Sequence, residues 1–234
     1  MNKLNHIFFD LDRTLWDFET NSKAALVQIF DELKLGDHIS TFESFYKEYR
    51  TVNAAFWDKY SKGIITKSDL RSGRFAHTLE KFSIVNEQLS NELGERYIQV
   101  SPYQTNLFPG TKETLSELKN NDHQLHIITN GFKEVQFIKL ENSGILNYFD
   151  DILCSEEVGV NKPDPLVFRK ALERTKAKSM ESVMIGDDFN ADVLGAEKCG
   201  IRGVLFDPHN HYDERSGVER IQSLSEIPAK IIGL

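Results

Sequence analysis

The sequence predicts an α/β fold in which a parallel sheet carries an inserted, all-helical domain. Two patterns support this prediction. Short apolar runs, typical of strands buried on both faces, alternate with helical patterns at the start of the chain and again after residue 101. Between residues 16 and 101 no comparable run occurs, and apolar residues recur at helical spacing. Because alternating strands and helices are typical of a parallel sheet, the helical stretch is interpreted as an insert.

The apolar runs define the predicted strands. These strands cover residues 6–10, 125–129, 151–154, 182–187 and 203–206. The first ends in Asp10 and the fourth in Asp187, so acidic side chains follow two of the buried strands.

Helical patterns connect the strands after the insert. The predicted helices cover residues 111–121, 133–143, 190–199 and a segment that starts at Asp164-Pro165. In the second of them Val135, Ile138 and Leu140 form the expected apolar face. Asp164 is a favourable N-cap, and proline is well tolerated at the first helical position that follows it.

The chain is expected to divide into two domains. Residues 1–15 and 102–234 form the predicted α/β core domain, and residues 16–101 form the predicted helical domain. Aromatic residues in the insert recur at helical spacing, as Phe42, Phe45 and Tyr49 do. Such a stripe is most often the packing surface between helices.

Composition excludes several classes of protein. Of the 234 residues, 40% are hydrophobic and 27% are charged, which is ordinary for a globular protein and unlike a disordered or fibrous chain. The net charge of -8 opposes binding to polymeric nucleic acid or to an anionic membrane. The first residues lack the apolar stretch of a signal peptide, and no window is apolar enough to span a membrane. A cytoplasmic location is therefore expected.

Acidic residues gather at the ends of two predicted strands. Asp10 and Asp12 follow the first, and Asp187, Asp188 and Asp192 follow the fourth. Ligands of open α/β sheets bind beside the carboxyl ends of the strands, so these carboxylates are expected to meet. A hard divalent cation relieves their repulsion, and Mg²⁺ suits a site with few carboxylates.

Groups that complement a phosphate lie at other strand ends. Thr129-Asn130-Gly131 offers a hydroxyl, an amide and flexible backbone N–H groups, and Lys162 precedes a helix. Together with a metal they form a phosphate-binding site. Asp10 is then the candidate carboxylate nucleophile. Asp12 is the candidate acid for the leaving alcohol and the later base for water.

These segments resemble the four ordered motifs of the haloacid dehalogenase-like hydrolase superfamily. The motifs are Phe9-Asp10-Leu11-Asp12-Arg13-Thr14-Leu15, Ile128-Thr129-Asn130-Gly131, Lys162-Pro163, and Gly186-Asp187-Asp188 with Asp192. The resemblance implies a Rossmann-like core, and the helical insert is similar to that superfamily's helical cap of the first type. Within the superfamily the chain looks most like the pyrimidine 5′-nucleotidase group of phosphatases. The segments that carry this second resemblance are residues 52–66, Arg74-Phe75 and residues 155–160.

The resemblance implies a role for each motif. Asp10 attacks phosphorus. Mg²⁺ is held by Asp10, by Asp187 and by the backbone carbonyl of Asp12. Asp188 or Asp192 lies in the ligand shell or just behind it. Thr129, the Asn130 backbone and Gly131 bind the phosphoryl group, and Lys162 neutralises both phosphate and nucleophile. Two positions depart from the pattern, because Arg13 stands where many relatives carry glycine or another small or polar residue, and Asp188 where serine or threonine is frequent.

The expected function is that of a Mg²⁺-dependent phosphomonoester hydrolase that forms an aspartyl-phosphate, with nucleoside 5′-monophosphates as substrates. A phosphatase of another small phosphoester, such as a sugar phosphate, is the alternative. A 2-haloacid dehalogenase is less favoured because relatives with that activity lack the acid at the position of Asp12. A phosphosugar mutase is not excluded by the motifs, whereas a receiver-like signalling domain is about half as long and has no large insert.

The expected partner is a small phosphorylated substrate, bound by a monomer or weak homodimer. The helical domain is expected to choose the leaving group. The candidate contacts are Trp16, Phe18, Asn21, Asn53, Trp57 and Arg74, with helix packing as the favoured role of Trp57.

Overall fold

The structure is a computed structural model that describes residues 4–212 and 217–232. Within these residues the chain forms two compact units. One combines the residues up to Phe18 with those from Thr105 onward, and the other is Glu19–Gln104. The described residues contain no helix that is both long enough and apolar enough to cross a bilayer.

The helices have the following bounds. In chain order they are Phe18–Glu32 (α1), Phe42–Ser61 (α2), Arg74–Glu80 (α3), Glu87–Val100 (α4), Thr111–Asn120 (α5), Lys133–Asn142 (α6), Pro165–Thr175 (α7), Gly195–Glu197 (α8) and Ile227–Ile232 (α9). Side-chain caps fix several starts: Thr41 accepts from the Ser44 amide, Asn86 from that of Leu89 and Asp164 from that of Leu166.

The α/β unit contains a parallel sheet. Its strands are His6–Phe9 (β1), Gln124–Thr129 (β2), Asp151–Cys154 (β3), Ser182–Gly186 (β4), Arg202–Phe206 (β5) and Glu219–Ile221 (β6). Their order is β3-β2-β1-β4-β5-β6, and every described pairing is parallel. The predicted fold class is confirmed, and each of the five predicted strands is present within one residue of its expected ends.

The register of β1 positions the site. Phe9 pairs with Ile127 of β2 on one side and with Ile185 of β4 on the other. The amide of Asp10 donates to the Ile185 carbonyl at 2.9 Å, which continues the ladder by one residue. Asp10 therefore leaves the sheet at its centre, beside the residues that follow β4.

Two elements differ from the sequence prediction. β6 was not predicted, because Glu219-Arg220-Ile221 is short and polar, as suits an edge strand. The predicted helix over residues 190–199 is instead a π-helical turn, Phe189–Leu194, followed by α8. The side chain of Asp188 caps this turn by accepting from the amides of Asn190 and Ala191, both at 2.8 Å.

The helical unit has its own apolar core. Its members come from all four helices and the loop after α1, and they include Leu26, Ile29, Phe45, Tyr49, Phe75, Leu79, Leu93 and Tyr97. The ring centroids of Tyr49 and Phe75 lie 5.3 Å apart. The aromatic stripe thus packs between helices, as its spacing indicates.

The boundaries between the two units fall between Phe18 and Glu19 and between Gln104 and Thr105. The sequence pattern places each of these boundaries three residues earlier. The reason is that Trp16 is fully buried in the core of the α/β unit, with Phe18 packed against the same cluster. Trp16 also forms an antiparallel bridge with Leu107. The expectation that Trp16 belongs to the helical domain is therefore wrong for the fold.

Candidate active site

Three carboxylates meet at the carboxyl ends of β1 and β4. Asp10, Asp187 and Asp192 each present an oxygen, and these atoms lie within 4.8 Å of one another. Asp10 and Asp192 are buried. The cluster forms because β1 and β4 are neighbours, while the π-helical turn after β4 returns Asp192 to the same edge.

Lys162 supplies the positive charge of this cluster. Its Nζ atom donates to Oδ1 of Asp10 at 2.8 Å, to Oδ1 of Asp192 at 2.6 Å and to the Ile128 carbonyl at 2.7 Å. These contacts use all three ammonium protons. Lys162 is only 3% exposed, so its interactions with the two carboxylates are weakly screened.

The side chain of Asn130 holds the Lys162 backbone in place. Its Oδ1 accepts from the Lys162 amide at 2.8 Å, and its Nδ2 donates to the Lys162 carbonyl at 3.1 Å. The loop after β2 is thereby joined to the loop before α7. The resemblance implies that the Asn130 backbone binds phosphate, and that role stays a prediction. Its side-chain amide, which the sequence offers to phosphate, is instead bound to the Lys162 backbone.

The cluster perturbs the ionisation of its members. Burial raises the pKa of Asp10 to about 7, against the opposing effect of Lys162. Burial also raises the pKa of Asp187 well above its usual value, and the charges of Asp10 and Asp192 raise it further. Burial would lower the pKa of Lys162, but the two carboxylates that it contacts raise it above the usual lysine value. Three carboxylates thus share the one ammonium that contacts two of them, so negative charge is in excess within the cluster.

This donor set fits a hard divalent cation. Closely spaced carboxylate oxygens are the ligands that Mg²⁺ prefers, and a second positive charge offsets the burial and the mutual repulsion that raise the pKa values of Asp10 and Asp187. Both oxygens of Asp192 are already engaged, one by Lys162 and the other by the Asp188 amide at 3.1 Å. Lys162 contacts Asp10 through Oδ1, and Asp187 accepts a long hydrogen bond of 3.5 Å from the Thr14 hydroxyl at its Oδ1. Asp10 and Asp187 are therefore the better-placed candidates to hold the ion, with Asp192 behind them.

The carboxylates of Asp188 and Asp12 lie outside this cluster as the described residues define it. Asp188 caps the turn that follows it, and its backbone amide contacts Asp192. The Asp12 carboxylate turns toward helix α6 instead. The resemblance implies that Asp12 binds Mg²⁺ through its backbone carbonyl. The orientation of its side chain does not test that role, which stays a prediction.

Helix α6 contributes two buried polar residues that the sequence reasoning missed. Lys139 Nζ lies 2.6 Å from Oδ1 of Asp12, and Gln136 Nε2 lies 2.9 Å from its Oδ2. Gln136 is fully buried and Lys139 is 4% exposed. Their spacing of three residues, directly after the Thr129-Asn130-Gly131 motif, is the signal that could have revealed them.

Thr129 belongs to the same group of side chains. Its Oγ1 accepts from Gln136 Nε2 at 2.8 Å and from the Gly131 amide at 3.1 Å. The site leaves no room for a side chain at Gly131, because an added Cβ would overlap the Gln136 amide. The structure thus brings the second motif beside Asp12.

Arg13 lies at the same strand end in a left-handed backbone conformation, with φ of 64°. Its guanidinium stacks 4.1 Å from the ring centroid of Phe18. Its charge also opposes the rise in the pKa of Asp187. The left-handed conformation explains why glycine suits this position.

The arrangement can perform nucleophilic substitution on an anionic group. The buried carboxylate of Asp10 could serve as a nucleophile, and Lys162 and a cation could neutralise the charge that a phosphoryl group brings. Asp12 provides a second carboxyl group for proton transfer. Thr129 provides a hydroxyl beside them.

Comparison with known proteins agrees with this chemistry. The sequence model for the haloacid dehalogenase-like hydrolases matches residues 4–200. Pyrimidine 5′-nucleotidase YjjG of Escherichia coli is 32% identical over 226 residues, which cover 96% of this chain and 95% of that protein. Ribulose-1,5-bisphosphate 5-phosphatase of Halopiger xanaduensis is 33% identical over 220 residues, which cover 92% of this chain and 89% of that protein.

A solved structure shows the same fold. The HAD-hydrolase YfnB from Bacillus subtilis, bound to magnesium, matches with a TM-score of 0.88 at 24% identity, over 99% of this chain and 100% of that one. The resemblance seen in the four motifs is confirmed, as is the prediction of a hydrolase. The match over residues 4–200 and the acids at the ends of β1 and β4 lead to one assignment: this chain belongs to the haloacid dehalogenase-like hydrolase family.

Proposed function

We propose that this protein is a Mg²⁺-dependent phosphomonoester hydrolase that works through an aspartyl-phosphate on Asp10 and acts on nucleoside 5′-monophosphates. The observation that carries the proposal is the contact between Lys162 and Asp10 within a cluster of three carboxylates. A carboxylate nucleophile beside a fixed cation suits attack on a phosphate ester, whose own charge must be neutralised.

The first half-reaction transfers the phosphoryl group. A carboxylate oxygen of Asp10 forms a bond to phosphorus as the bond to the ester oxygen breaks. Asp12 enters this step in its protonated form and gives its proton to that oxygen, so the alcohol leaves neutral and Asp12 becomes a carboxylate. Lys162 and the Thr129 hydroxyl interact with the phosphoryl oxygens during the transfer.

The second half-reaction releases phosphate. Water attacks the phosphorus of the aspartyl-phosphate, Asp12 takes its proton, and the bond between phosphorus and Asp10 breaks. Inorganic phosphate leaves, and both carboxyl groups return to their starting state. We propose that Asp10 and Asp187 hold Mg²⁺, with Asp192 behind them; the bound ion supplies charge neutralisation of the phosphoryl oxygens.

The substrate class rests on similarity. A relative named as a pyrimidine 5′-nucleotidase shares 32% identity with nearly the whole chain. A relative named as a sugar bisphosphate phosphatase is equally similar, so phosphorylated sugars are the second candidate class. We further propose that the helical unit selects among them; there Arg74 and Asn53 are buried and joined by a 2.8 Å hydrogen bond.

Two other reactions on this scaffold are less favoured. A dehalogenase has no alkoxide to protonate and needs no metal, whereas this chain has Asp12 and an acidic cluster suited to a cation. A phosphosugar mutase would return the phosphoryl group to the sugar instead of to water. We also keep as predictions a cytoplasmic location and a monomer or weak homodimer.

A phosphate-release screen tests the proposal. The purified protein is assayed with Mg²⁺ against nucleoside 5′-monophosphates, sugar phosphates and a 2-chloroacid, and Asp10→Asn is the matched control. We expect phosphate release from nucleoside monophosphates, loss of activity with EDTA and no turnover by Asp10→Asn. Activity retained by that variant refutes the nucleophile, chloride release supports the dehalogenase, and phosphate retained on the sugar supports the mutase.

A further inference from the structure

We propose that Lys139 and Gln136 of α6 are positioning residues for the reaction, Lys139 through Asp12 alone and Gln136 through both Asp12 and Thr129. The inference rests on the proposed function, because it concerns how the acid–base group and the phosphate-binding hydroxyl are aimed. Both residues are buried, and neither belongs to the four motifs.

The first step concerns the two oxygens of Asp12. Oδ1 contacts the Lys139 ammonium at 2.6 Å, and Oδ2 contacts the Gln136 amide at 2.9 Å. A carboxyl group held at one oxygen can still swing about the bond to its Cβ, whereas one held at both oxygens has a single orientation. Each oxygen has a second lone-pair site, so the protonated form of Asp12 can keep both contacts and still carry the proton that it donates. Proton transfer requires the carboxyl group within hydrogen-bond reach of the leaving oxygen, so this orientation affects rate.

The second step concerns the environment of Lys139. Its Nζ lies 4.3 Å from the ring centroid of Trp16, which is fully buried. Burial of an ammonium is costly unless it is paired, and Asp12 is the carboxylate that pairs with it among the described residues. The indole face and the carboxylate therefore hold the ammonium between them, which makes Lys139 a fixed support for Asp12.

The third step counts the hydrogens of Gln136. Nε2 carries two protons, and the structure directs one to Asp12 and the other to Thr129 Oγ1 at 2.8 Å. The amide cannot be reversed, because its oxygen would then face the Asp12 carboxylate. Its Oε1 accordingly has no hydrogen-bond partner among the described residues.

The fourth step follows at Thr129. A hydroxyl accepts two hydrogen bonds and donates one, and Oγ1 already accepts from Gln136 and from the Gly131 amide. Its own proton is thus left to donate. Gln136 therefore fixes Thr129 as a donor toward phosphoryl oxygens while it also holds Asp12.

The two residues predict different kinetic signatures. The measured quantity is kcat/KM, which reports the steps up to formation of the aspartyl-phosphate, for 4-nitrophenyl phosphate and for the best alkyl phosphate of the screen. The nitrophenolate leaves without protonation, whereas the alkoxide needs it. We expect Lys139→Met to lose about 100-fold on the alkyl ester and less than about 3-fold on the aryl ester.

Gln136→Leu is expected to lower kcat/KM for both esters by about 10-fold or more, because it also disturbs Thr129. Gly131→Ala displaces the Gln136 amide and should reproduce that pattern by an independent route. Lys139→Arg keeps a charged donor that can stack on Trp16, so it should restore most of the alkyl activity. Lys133→Met is the control, since Lys133 lies on the same helix but forms an exposed ion pair with Glu157.

Two further measurements separate positioning from damage. Calorimetric titration with Mg²⁺ should give unchanged affinity for Lys139→Met, and its kcat should fall more than its KM changes. Equal losses on both esters for Lys139→Met, or no loss on either, overturn the inference. A wild-type protein that releases no phosphate, or an active Asp10→Asn variant, instead overturns the proposed function.

Discussion

Gly186 lies directly against the carboxylate of Asp192. A Cβ added at Gly186 would overlap Oδ2 of Asp192, and the same carboxylate is held by Lys162 through its other oxygen. Gly186 is the last residue of β4, so the strand and the turn that follows it approach each other more closely than any side chain allows. This approach places Asp192 beside Asp187.

Gly186→Ala should therefore destabilise the fold and weaken the metal site together. Asp192 is buried and fixed by Lys162, so it cannot yield, and we expect the free energy of unfolding to fall by about 1–3 kcal/mol. Denaturant unfolding and calorimetric titration with Mg²⁺ measure the two effects. Gly36→Ala is the control, because its Cβ would meet Phe30 at an ordinary 3.6 Å. Unchanged Mg²⁺ affinity in Gly186→Ala would count against Asp192 as part of the site.

Lys162→Met should separate catalysis from metal binding. The variant removes the cation that neutralises Asp10, and we expect turnover to fall by about 100-fold or more. Mg²⁺ should nevertheless bind at least as tightly, because the ammonium no longer competes for the oxygens of Asp10 and Asp192. Calorimetry at pH 8 measures the affinity, and Lys170→Met on the exposed face of α7 is the control. Loss of Mg²⁺ binding would show that the carboxylates need Lys162 to form the site.

Arg13→Gly should give a more stable protein than Arg13→Ala. Both variants lose the stacking of the guanidinium on Phe18. The difference between their free energies of unfolding therefore isolates the cost of the backbone conformation at residue 13, where φ is 64°. Glycine adopts this left-handed conformation freely, and alanine does not, so we expect a difference of about 1 kcal/mol in the free energy of unfolding. Thermal and denaturant unfolding provide the measurement. Equal stabilities would mean that the loop relaxes when the arginine is removed.

His126 should make stability depend on pH. Burial is the main reason that its pKa falls from 6.5 to about 4, with the charge of His6 acting in the same direction and those of Asp150 and Asp151 against it. Between pH 4 and 6.5 the unfolded chain binds more protons at this histidine, so its contribution to stability rises with pH. The contribution is roughly 3 kcal/mol at most, and it is lost as pH falls below about 6.5.

The comparison of wild type with His126→Gln isolates this contribution, since buried carboxylates with raised pKa values titrate in the opposite sense. The free energy of unfolding is measured for both proteins at pH 5 and pH 7.5. Wild type should lose more stability between pH 7.5 and pH 5 than the variant does. An identical loss in the two proteins would exclude His126 as the source.

The sequence contains enough information for the sheet and for the acids of the site, because both depend on local pattern. A strand buried on both faces is mostly apolar, and such runs are visible in residues 7–9 and 183–185. Asp10 and Asp187 follow those runs directly. Parallel strands place their ends at one edge, so adjacency in space follows from order along the chain.

The face of α6 could not be predicted in the same way. Apolar periodicity points to Val135, Ile138 and Leu140, yet Val135 and Ile138 are only half-buried while Gln136 and Lys139 are buried. Polar residues on a helix are normally interpreted as exposed. Here a carboxylate from another element, Asp12, satisfies them, and that long-range pairing has no local signal.

The bridge between Trp16 and Leu107 has a consequence for how this protein can change. The amide of Phe108 donates to the Leu15 carbonyl, and that of Asp17 donates to the Asn106 carbonyl. The segment that leaves the α/β unit is thus hydrogen-bonded to the segment that returns to it. Asp10, the proposed nucleophile, precedes these contacts along the chain and lies at the end of β1. We therefore expect that the segment between residues 19 and 104 can be lengthened, shortened or replaced while the residues of the proposed site keep their positions.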